Sequence, residues 1–215
     1  IGTEGFPLKR PKNVAKLVHV WHSVCDTSFY HKGALDNYDV ALTVSDWVEK
    51  NIRIVEKARN LKRKEVLTVG LPYFDELLKA VGREPRNSSE KVILIAPSWG
   101  EKNCLKLFGT DFLKGLTSAG FKIIIRPHPQ SLKIEKEFFD SLKEKFSDPL
   151  VEFDFEIDGT RSLNQADLLI SDKSSIRFDF AFLYKRPVVT LDIPPASLDA
   201  YEATYLPKLW EEETA

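Results

Sequence analysis

The sequence predicts an α/β fold in which parallel sheets are covered by helices. Its first indication is a set of eight short runs of β-branched and aliphatic residues, each with the length of a buried strand. The runs are Val14–Val20, Val40–Val44, Glu65–Val69, Val92–Ala96, Lys122–Ile125, Val151–Phe155, Asp167–Ile170 and Pro187–Leu191. The second indication is that longer amphipathic segments lie between several of these runs. Such alternation is typical of a mainly parallel sheet with helices on both faces.

The amphipathic segments predict four helices. We expect Asp46 to cap the first, with Glu49 three residues later, so that Val48, Ile52 and Val55 share one face. The other helices are predicted over Phe112–Ala119, Glu135–Phe146 and Ile176–Tyr184.

A polar stretch, Val81–Glu90, predicts a domain boundary because it contains Gly, Pro and paired Ser residues. We expect residues 1–82 to be the C-terminal part of one Rossmann-like domain and residues 91–215 to form a second one. The chain starts at Ile1 and contains no methionine, so we expect it to belong to a longer protein.

The composition excludes several classes of protein. The 215 residues include 31 basic and 32 acidic side chains, a balance that argues against a broad electrostatic nucleic-acid binder. No apolar run approaches the roughly 20 residues of a transmembrane helix, and the first ten residues lack a signal-peptide pattern. Cys25 and Cys104 are far apart and outside metal-type spacings, which fits a reducing cytosol.

Two loops that follow predicted strands contain candidate ligand-binding residues, since ligands bind outside the carboxyl ends of parallel strands. In the first loop, Ser98 precedes Trp99, which either stacks on a flat ligand ring or covers the edge of the core. In the second, prolines on both sides of His128 stop the strand and make the loop rigid. His128 could donate a hydrogen bond or proton to a leaving phosphate, and Arg126 could supply charge. The alternative is a turn histidine without a function.

A third loop, residues 171–175, leads into the helix predicted from Ile176. Free N–H groups at a helix N-terminus and the hydroxyls of Ser174 and Ser175 suit an anion. The loop has none of the glycines of a Walker or Rossmann loop. The alternative is ordinary N-capping by serine.

The first half of the chain contains two histidines three residues apart, His19 and His22. Their neighbours predict a strand, on which an offset of three places side chains on opposite faces. A metal pair is therefore not expected, and His22, at the end of the strand, is a candidate general base.

These segments, in this order, resemble the CDP-glycerol glycerophosphotransferase family, whose members prime or polymerise teichoic acids. The matching stretches are VWHS at 20–23, VGLPYFDEL at 69–77, ILIAPSW at 93–99, IIIRPHP at 123–129 and ADLLISDKSSIRFDFAFLYKRPVV at 166–189. The resemblance implies a GT-B architecture of two Rossmann-like domains. It also implies a CDP-linked polyol donor, a polyol-phosphate or lipid-linked glycan acceptor, and no metal or cofactor built into the site.

The resemblance also implies roles for individual residues. His22 would be the base in the acceptor half, and His128 would act with Ser174 and Ser175 on the donor pyrophosphate. The remaining candidates for donor or phosphate binding are Ser98, Trp99, Arg126 and Lys173, and the supporting residues are Asp172 and Asp179. The chain departs from the family pattern at two places, with Ser23-Val24-Cys25 after His22 and with Lys173 before the paired serines.

The expected function is transfer of glycerol phosphate, or a related polyol phosphate, from a CDP-linked donor to a hydroxyl of a teichoic-acid-like or capsular polymer. The enzyme would be cytoplasmic, at the inner face of the bacterial membrane, with any peripheral membrane contact made by segments outside this chain. One alternative is a nucleotide-sugar glycosyltransferase or epimerase of GT-B fold. Another is a nucleotide-binding fragment without catalytic activity.

Overall fold

The computed structural model describes residues 7–25, 27–81, 90–193 and 198–206. They form two compact units, one containing the chain as far as Asp75 together with residues 198–206, the other running from Glu76 to Ile193. Most of the boundary predicted at Val81–Glu90 lies outside the described residues, so the predicted domain limits stay a prediction.

The first unit contains a parallel sheet of three strands in the order β1-β2-β3. The strands are β1 (Val18–Val20), β2 (Val40–Thr43) and β3 (Glu65–Thr68). Helix α1 (Asp46–Ala58) connects β2 to β3, and α2 (Pro72–Ala80) follows β3. All three strands were predicted from their apolar runs, whereas α2 was not predicted.

Helix α1 begins at Asp46, the residue predicted to be its N-cap. Its N-cap is Ser45, whose backbone is extended and whose side chain makes no capping hydrogen bond. The prediction that Asp46 caps the helix is therefore wrong, because Asp46 is already its first residue, where its carboxylate accepts a hydrogen bond from Thr68 Oγ1 at 3.2 Å. The predicted apolar face is confirmed, since Val48, Ile52 and Val55 are all buried.

The two faces of the first sheet differ in their cover. On one face, Val48 and Ile52 of α1 pack with the buried side chains Trp21, Tyr30 and Ala41. The other face, here called the open face, carries apolar side chains that are about half exposed. They are Val18 (46%), Val20 (51%), Leu67 (47%) and Val69 (48%). Parallel sheets are ordinarily covered on both faces, so the open face is unusual.

Residues 198–206 pack on the first unit, although the sequence placed them with the second half of the chain. The carbonyl of Ala200 accepts a hydrogen bond from Lys32 N at 2.9 Å. The buried Glu202 accepts hydrogen bonds through Oε1 from Gly33 N at 2.9 Å and from Arg59 at 2.7 Å. These bonds hold the end of the described chain against the loop after β1 and the end of α1.

The second unit contains a parallel sheet of five strands in the order β6-β5-β4-β7-β8. The strands are β4 (Val92–Ile95), β5 (Lys122–Ile125), β6 (Val151–Phe153), β7 (Leu168–Ser171) and β8 (Val188–Thr190). The chain proceeds outward from β4 to β6, then returns to place β7 on the other side of β4. This is the order of a Rossmann-type sheet, whose topological switch point lies between β4 and β7.

The strands at the centre of this sheet are buried on both faces. Ile93, Ile95, Ile123 and Ile125 point into one core cluster, and Leu94 points into the opposite one. The unbroken apolar runs that predicted these strands follow from this double cover. The helices of the unit are α3 (Cys104–Ser118), α4 (Ser131–Ile134), α5 (Lys136–Lys145), α6 (Thr160–Gln165) and α7 (Ile176–Asp179).

Three of these helices correspond to predicted ones, with shifted limits. Helix α3 is kinked at Gly109, whose φ of 65° is left-handed, and the predicted helix corresponds to the part after the kink. The predicted helix at 135–146 is α5, and the one at 176–184 is α7 followed by a π-type turn over Phe180–Tyr184.

Both units are therefore α/β structures built on parallel sheets, and the predicted fold class is confirmed. Within the described residues, every helix is too short or too polar to cross a bilayer.

Candidate functional site

The three loops that the sequence singled out in the second half follow neighbouring strands. Residues 96–100 follow β4, residues 126–130 follow β5 and residues 172–175 follow β7. Since β5, β4 and β7 are adjacent and parallel, the loops meet at one edge of the sheet, on both sides of the switch point. Ligands of open α/β sheets bind at this position.

Asp172 joins two of these loops. Its carboxylate is completely buried and accepts backbone hydrogen bonds from Ser98 N at 2.8 Å and from Cys104 N at 2.9 Å. The loop after β7 is thereby tied to the loop after β4 and to the start of α3. Burial, and secondarily the Asp172 carboxylate, raise the pKa of the Cys104 thiol, so this cysteine is held protonated.

His128 is oriented by the backbone of its own loop. Its Nδ1 accepts a hydrogen bond from Gln130 N at 3.0 Å, and its carbonyl accepts one from Ser131 N at 2.8 Å. Because Nδ1 serves as the acceptor, the neutral ring carries its proton on Nε2. In this tautomer the N–H of the half-buried imidazole is on Nε2, the ring nitrogen that Gln130 does not use.

Arg126 is buried beneath the same loop. Its guanidinium donates to Asp154 Oδ2 at 2.8 Å and to the carbonyl of Ile157 at 2.9 Å. Burial opposes ionisation of Asp154, yet hydrogen bonds from Ser162 and the backbone, together with the charge of Arg126, lower its pKa overall. Both terminal nitrogens of Arg126 are thus engaged within the protein, and its predicted contact with phosphate stays a prediction.

Glu135 is part of the site's framework that sequence reasoning missed. Its Oε2 accepts hydrogen bonds from Gly100 N at 3.0 Å and from Ser131 Oγ at 2.7 Å. Its Oε1 lies 2.6 Å from Lys106 Nζ. Burial raises the pKa of this carboxyl, but these partners lower it overall, so Glu135 stays ionised. Glu135 therefore connects the loops after β4 and β5, although Gly100 lies 35 residues earlier in the chain.

The serines after β7 are half-buried at the start of α7. Ser175 is the N-cap residue by position, but its side chain makes no capping hydrogen bond. The carbonyl of Ser174 accepts a hydrogen bond from Arg177 Nε at 3.0 Å, which fixes the loop backbone. The Ser175 hydroxyl is thus not used for N-capping, the alternative weighed from the sequence.

Asp179 ends α7, one turn after Ser175. Its Oδ1 is buried and accepts no hydrogen bond from the described part of the chain. Burial raises the pKa of this carboxyl from 3.8 to about 6. A loop-holding hydrogen bond through Oδ1 is therefore not its role in this structure.

Trp99 stands at the surface of the loop after β4, with 46% of the residue exposed. The next residue, Gly100, has a φ of 101°, a conformation that favours glycine. With nearly half of its surface exposed, Trp99 does not serve mainly to cover the edge of the core. An exposed indole can stack on a flat ligand ring.

The two histidines of the first unit have opposite surroundings. His19 is buried, and its Nε2 lies 2.9 Å from the Tyr30 hydroxyl. Burial, and then the nearby His22, lower the pKa of His19 to about 4. His22 is exposed just after β1, so the two rings differ in burial, and the role of His22 as a base stays a prediction. Among the described residues, no group of three or more His, Cys, Asp or Glu side chains could hold a metal ion.

Comparison with known proteins gives relatives of one kind. A curated relative is the minor teichoic acid biosynthesis protein GgaB of Bacillus subtilis (strain 168), 26% identical over 180 residues, covering 71% of this chain and 18% of GgaB. Among solved structures, the wall teichoic acid polymerase TagF matches with a TM-score of 0.49 and 18% identity, over 85% of this chain and 52% of TagF. A TagF variant soaked with CDPG matches with a TM-score of 0.41 and 23% identity, over 71% of this chain and 37% of the variant.

This chain thus spans about half of the TagF chain and a smaller share of GgaB. The model of one protein family, CDP-Glycerol:Poly(glycerophosphate) glycerophosphotransferase, matches residues 13–204. The match includes both units and all three loops at the carboxyl edge of the second sheet, and it confirms the resemblance seen in the sequence. The chain therefore belongs to the CDP-glycerol:poly(glycerophosphate) glycerophosphotransferase family.

Proposed function

We propose that this chain carries the donor-binding half, and part of the acceptor half, of a GT-B enzyme that transfers glycerol phosphate, or a related polyol phosphate, from a CDP-linked donor. The acceptor is a hydroxyl of a teichoic-acid-like or capsular polymer. Family membership over residues 13–204 supports the reaction class. The observation that carries the proposal is the meeting of the three loops at the switch point of a Rossmann-type sheet.

The donor occupies these loops in the proposal. His128 Nε2–H donates to an oxygen of the pyrophosphate, and Ser174, Ser175 and Lys173 supply further donors and positive charge. Trp99 stacks on the cytosine ring, next to Ser98. Arg126, Asp172 and Glu135 act as positioning residues, since the structure engages each of them in holding loop backbone or neighbouring side chains.

The proposed chemistry is an in-line displacement at phosphorus with inversion. The acceptor hydroxyl oxygen attacks the phosphorus of the glycerol phosphate group, and the bond from that phosphorus to the bridging oxygen breaks. CMP leaves with the electron pair, and His22 takes the proton of the attacking hydroxyl. Hydrogen bonds from His128 and the loop after β7 stabilise the charge that develops on the departing CMP.

The partners and the location are proposed on the family relationship. TagF is a wall teichoic acid polymerase, and a variant of it was soaked with CDPG. We infer a CDP-polyol as donor and a polyol phosphate or lipid-linked glycan as acceptor. The site of action would be cytoplasmic, at the inner face of the bacterial membrane.

Calorimetric titration of this chain with CDP-glycerol, CDP-ribitol, CDP and a UDP-sugar tests the proposal without an acceptor. Selective binding of one CDP-polyol is the expected result and identifies the donor. In the Ser174→Ala/Ser175→Ala variant, donor binding should weaken by about 1–3 kcal/mol, the range for hydrogen bonds to charged groups. Selective binding of the UDP-sugar would instead indicate a glycosyltransferase. If none of the four ligands gives a binding signal, the proposal is overturned.

A further inference from the structure

A cavity of about 460 Å³ lies in the first unit, and none of the described residues that line it takes part in the proposed chemistry. It is formed where β1, β2 and β3 begin, at the amino edge of the sheet. Five basic side chains and two acidic ones line it, a formal excess of three positive charges. The basic residues are Arg10, Lys16, Lys62, Arg63 and Lys64.

The two carboxylates of the cavity are already paired. Asp39 lies 2.8 Å from the Arg10 guanidinium and also accepts a hydrogen bond from Leu17 N at 2.8 Å. Asp36 forms an ion pair with Arg59 at 2.6 Å. These acids therefore contribute little uncompensated negative charge to the cavity.

Two of the cations, by contrast, make no short ion pair, although the charge of Lys62 reaches the Asp39 carboxylate. Lys62 and Arg63 are exposed at the turn before β3, and neither forms an ion pair with any residue in the described part of the first unit. Their positive field is left for an anion from outside the chain.

Hydrogen bonds across the strand ends build the wall of the cavity. Arg10 donates to the carbonyl of Ala15 at 3.1 Å in addition to its pair with Asp39. Asn37 Nδ2 donates to the carbonyl of Leu8 at 2.7 Å, which fastens the chain before β1 beside the start of β2. A cavity fixed in this way loses less conformational freedom when it binds a ligand than lysines on a mobile surface would.

The shape and the lining decide between ligand classes. The volume falls within the roughly 300–1,000 Å³ of small-ligand sites, and the lining is mostly polar, with Ala15 and Tyr38 as the only apolar members among the described residues. Interfacial membrane binding uses apolar side chains that insert beside protruding cations, and a polar concavity lacks them. Lys and Arg side chains pair well with phosphate oxygens.

We propose that this amino-edge cavity binds phosphodiester groups of a polyol-phosphate chain. The ligand class rests on the proposed function, which makes polyol phosphate the unit that the enzyme handles. The site itself is separate from the donor loops, since its lining residues all belong to the first unit. A polymer bound here through groups other than its reacting end would stay on the enzyme between transfers.

The test measures calorimetric binding of a short poly(glycerophosphate) oligomer, with no CDP donor present. In the Lys62→Gln/Arg63→Gln variant, affinity should fall by about tenfold or more, as expected for two lost contacts to phosphate. The control variant, Lys50→Gln/Lys57→Gln, removes the same charge from exposed positions on α1. The control should bind the oligomer as the unaltered chain does, and both variants should keep their affinity for CDP-glycerol.

Two outcomes would contradict the proposed role of the cavity and leave the proposed donor site unaffected. Equal weakening in both variants would mean that the oligomer senses only overall charge. Binding of phosphatidylglycerol vesicles, but not of the oligomer, with loss in Lys62→Gln/Arg63→Gln would assign these cations to a membrane surface. If the unaltered chain does not bind CDP-glycerol, that result contradicts the proposed function and not the cavity.

Discussion

At His128, one backbone hydrogen bond decides which ring nitrogen faces a ligand. Gln130 N occupies Nδ1, so the proposed contact with phosphate comes from Nε2–H. Glutamine can place an amide N–H near the position of Nε2, whereas asparagine reaches only the position of Nδ1. We therefore expect His128→Gln to keep more affinity for CDP-glycerol than His128→Asn, by about 1–3 kcal/mol.

Calorimetry on the two variants measures this difference, and His128→Ala should abolish transfer. Asparagine performing as well as glutamine would show that Nε2 is not the contact. Near-normal transfer by His128→Ala would remove His128 from the proposed chemistry altogether.

Ionisation of the buried Asp179 carboxyl destabilises the folded chain, so the effect of this residue on stability depends on pH. Its pKa in the folded chain, about 6, lies above the ordinary value of 3.8 because the carboxyl is buried without a hydrogen bond at Oδ1. Between these two values the folded state binds a proton that the unfolded state does not. Stability from this group is therefore highest below about pH 4 and is lost as pH rises through about 6.

Asp179→Asn tests this assignment because it removes the charge and keeps the shape. The variant should be more stable than the unaltered chain at about pH 8, by on the order of 1–3 kcal/mol, since one pKa unit corresponds to about 1.4 kcal/mol. The difference should vanish near pH 4, as followed by urea unfolding. A difference that does not change with pH would mean that Asp179 is not a buried titrating group.

Among the elements, the loop after β5 depends on how α6 begins. Gly159, the N-cap residue of α6, has an ordinary φ of −85° and lies directly against Arg126. A Cβ there would be 2.8 Å from Arg126 Nε and 3.0 Å from Cζ, so the guanidinium would have to move. That movement would disturb the pair of Arg126 with Asp154.

Gly159→Ala should destabilise the chain by about 1–3 kcal/mol, the usual cost of overpacking a filled site. The matched control is Gly115→Ala in α3, where an added Cβ meets no atom within 4 Å and φ is not left-handed. That change should stabilise by about 0.5–1 kcal/mol through helix propensity. Thermal unfolding compares the two, and a stabilising Gly159→Ala would contradict the packing described here.

For the whole molecule, local patterns predicted the strands better than the connections between distant residues. The eight strands were found because burial on one or both faces leaves apolar runs such as Ile123–Ile125. Positions just after the strands gave the candidate loops, since parallel strands bring their carboxyl ends to one edge. Helices α2, α4 and α6 were missed because each has nine residues or fewer, too few to show a clear periodicity in the sequence.

The framework of the site could not be predicted from sequence. Glu135 contacts Gly100 and Lys106, and Arg126 contacts Asp154, which lies 28 residues later. No local spacing in the sequence predicts these pairs. The sequence predicts Glu135 only as the first residue of a helix. Such pairs exist because the sheet order brings separated segments together, so they are properties of the tertiary fold.

The open face of the first sheet has a practical consequence for the protein in solution. Val18 and Val20 on β1, and Leu67 and Val69 at the end of β3, present two rows of half-exposed aliphatic side chains to water. A row of this kind favours self-association, which grows with protein concentration and with salts such as sulfate that strengthen apolar contacts. Low protein concentration should limit this self-association. A polar residue in place of Val20 should likewise keep the chain in solution under conditions in which the unaltered chain precipitates.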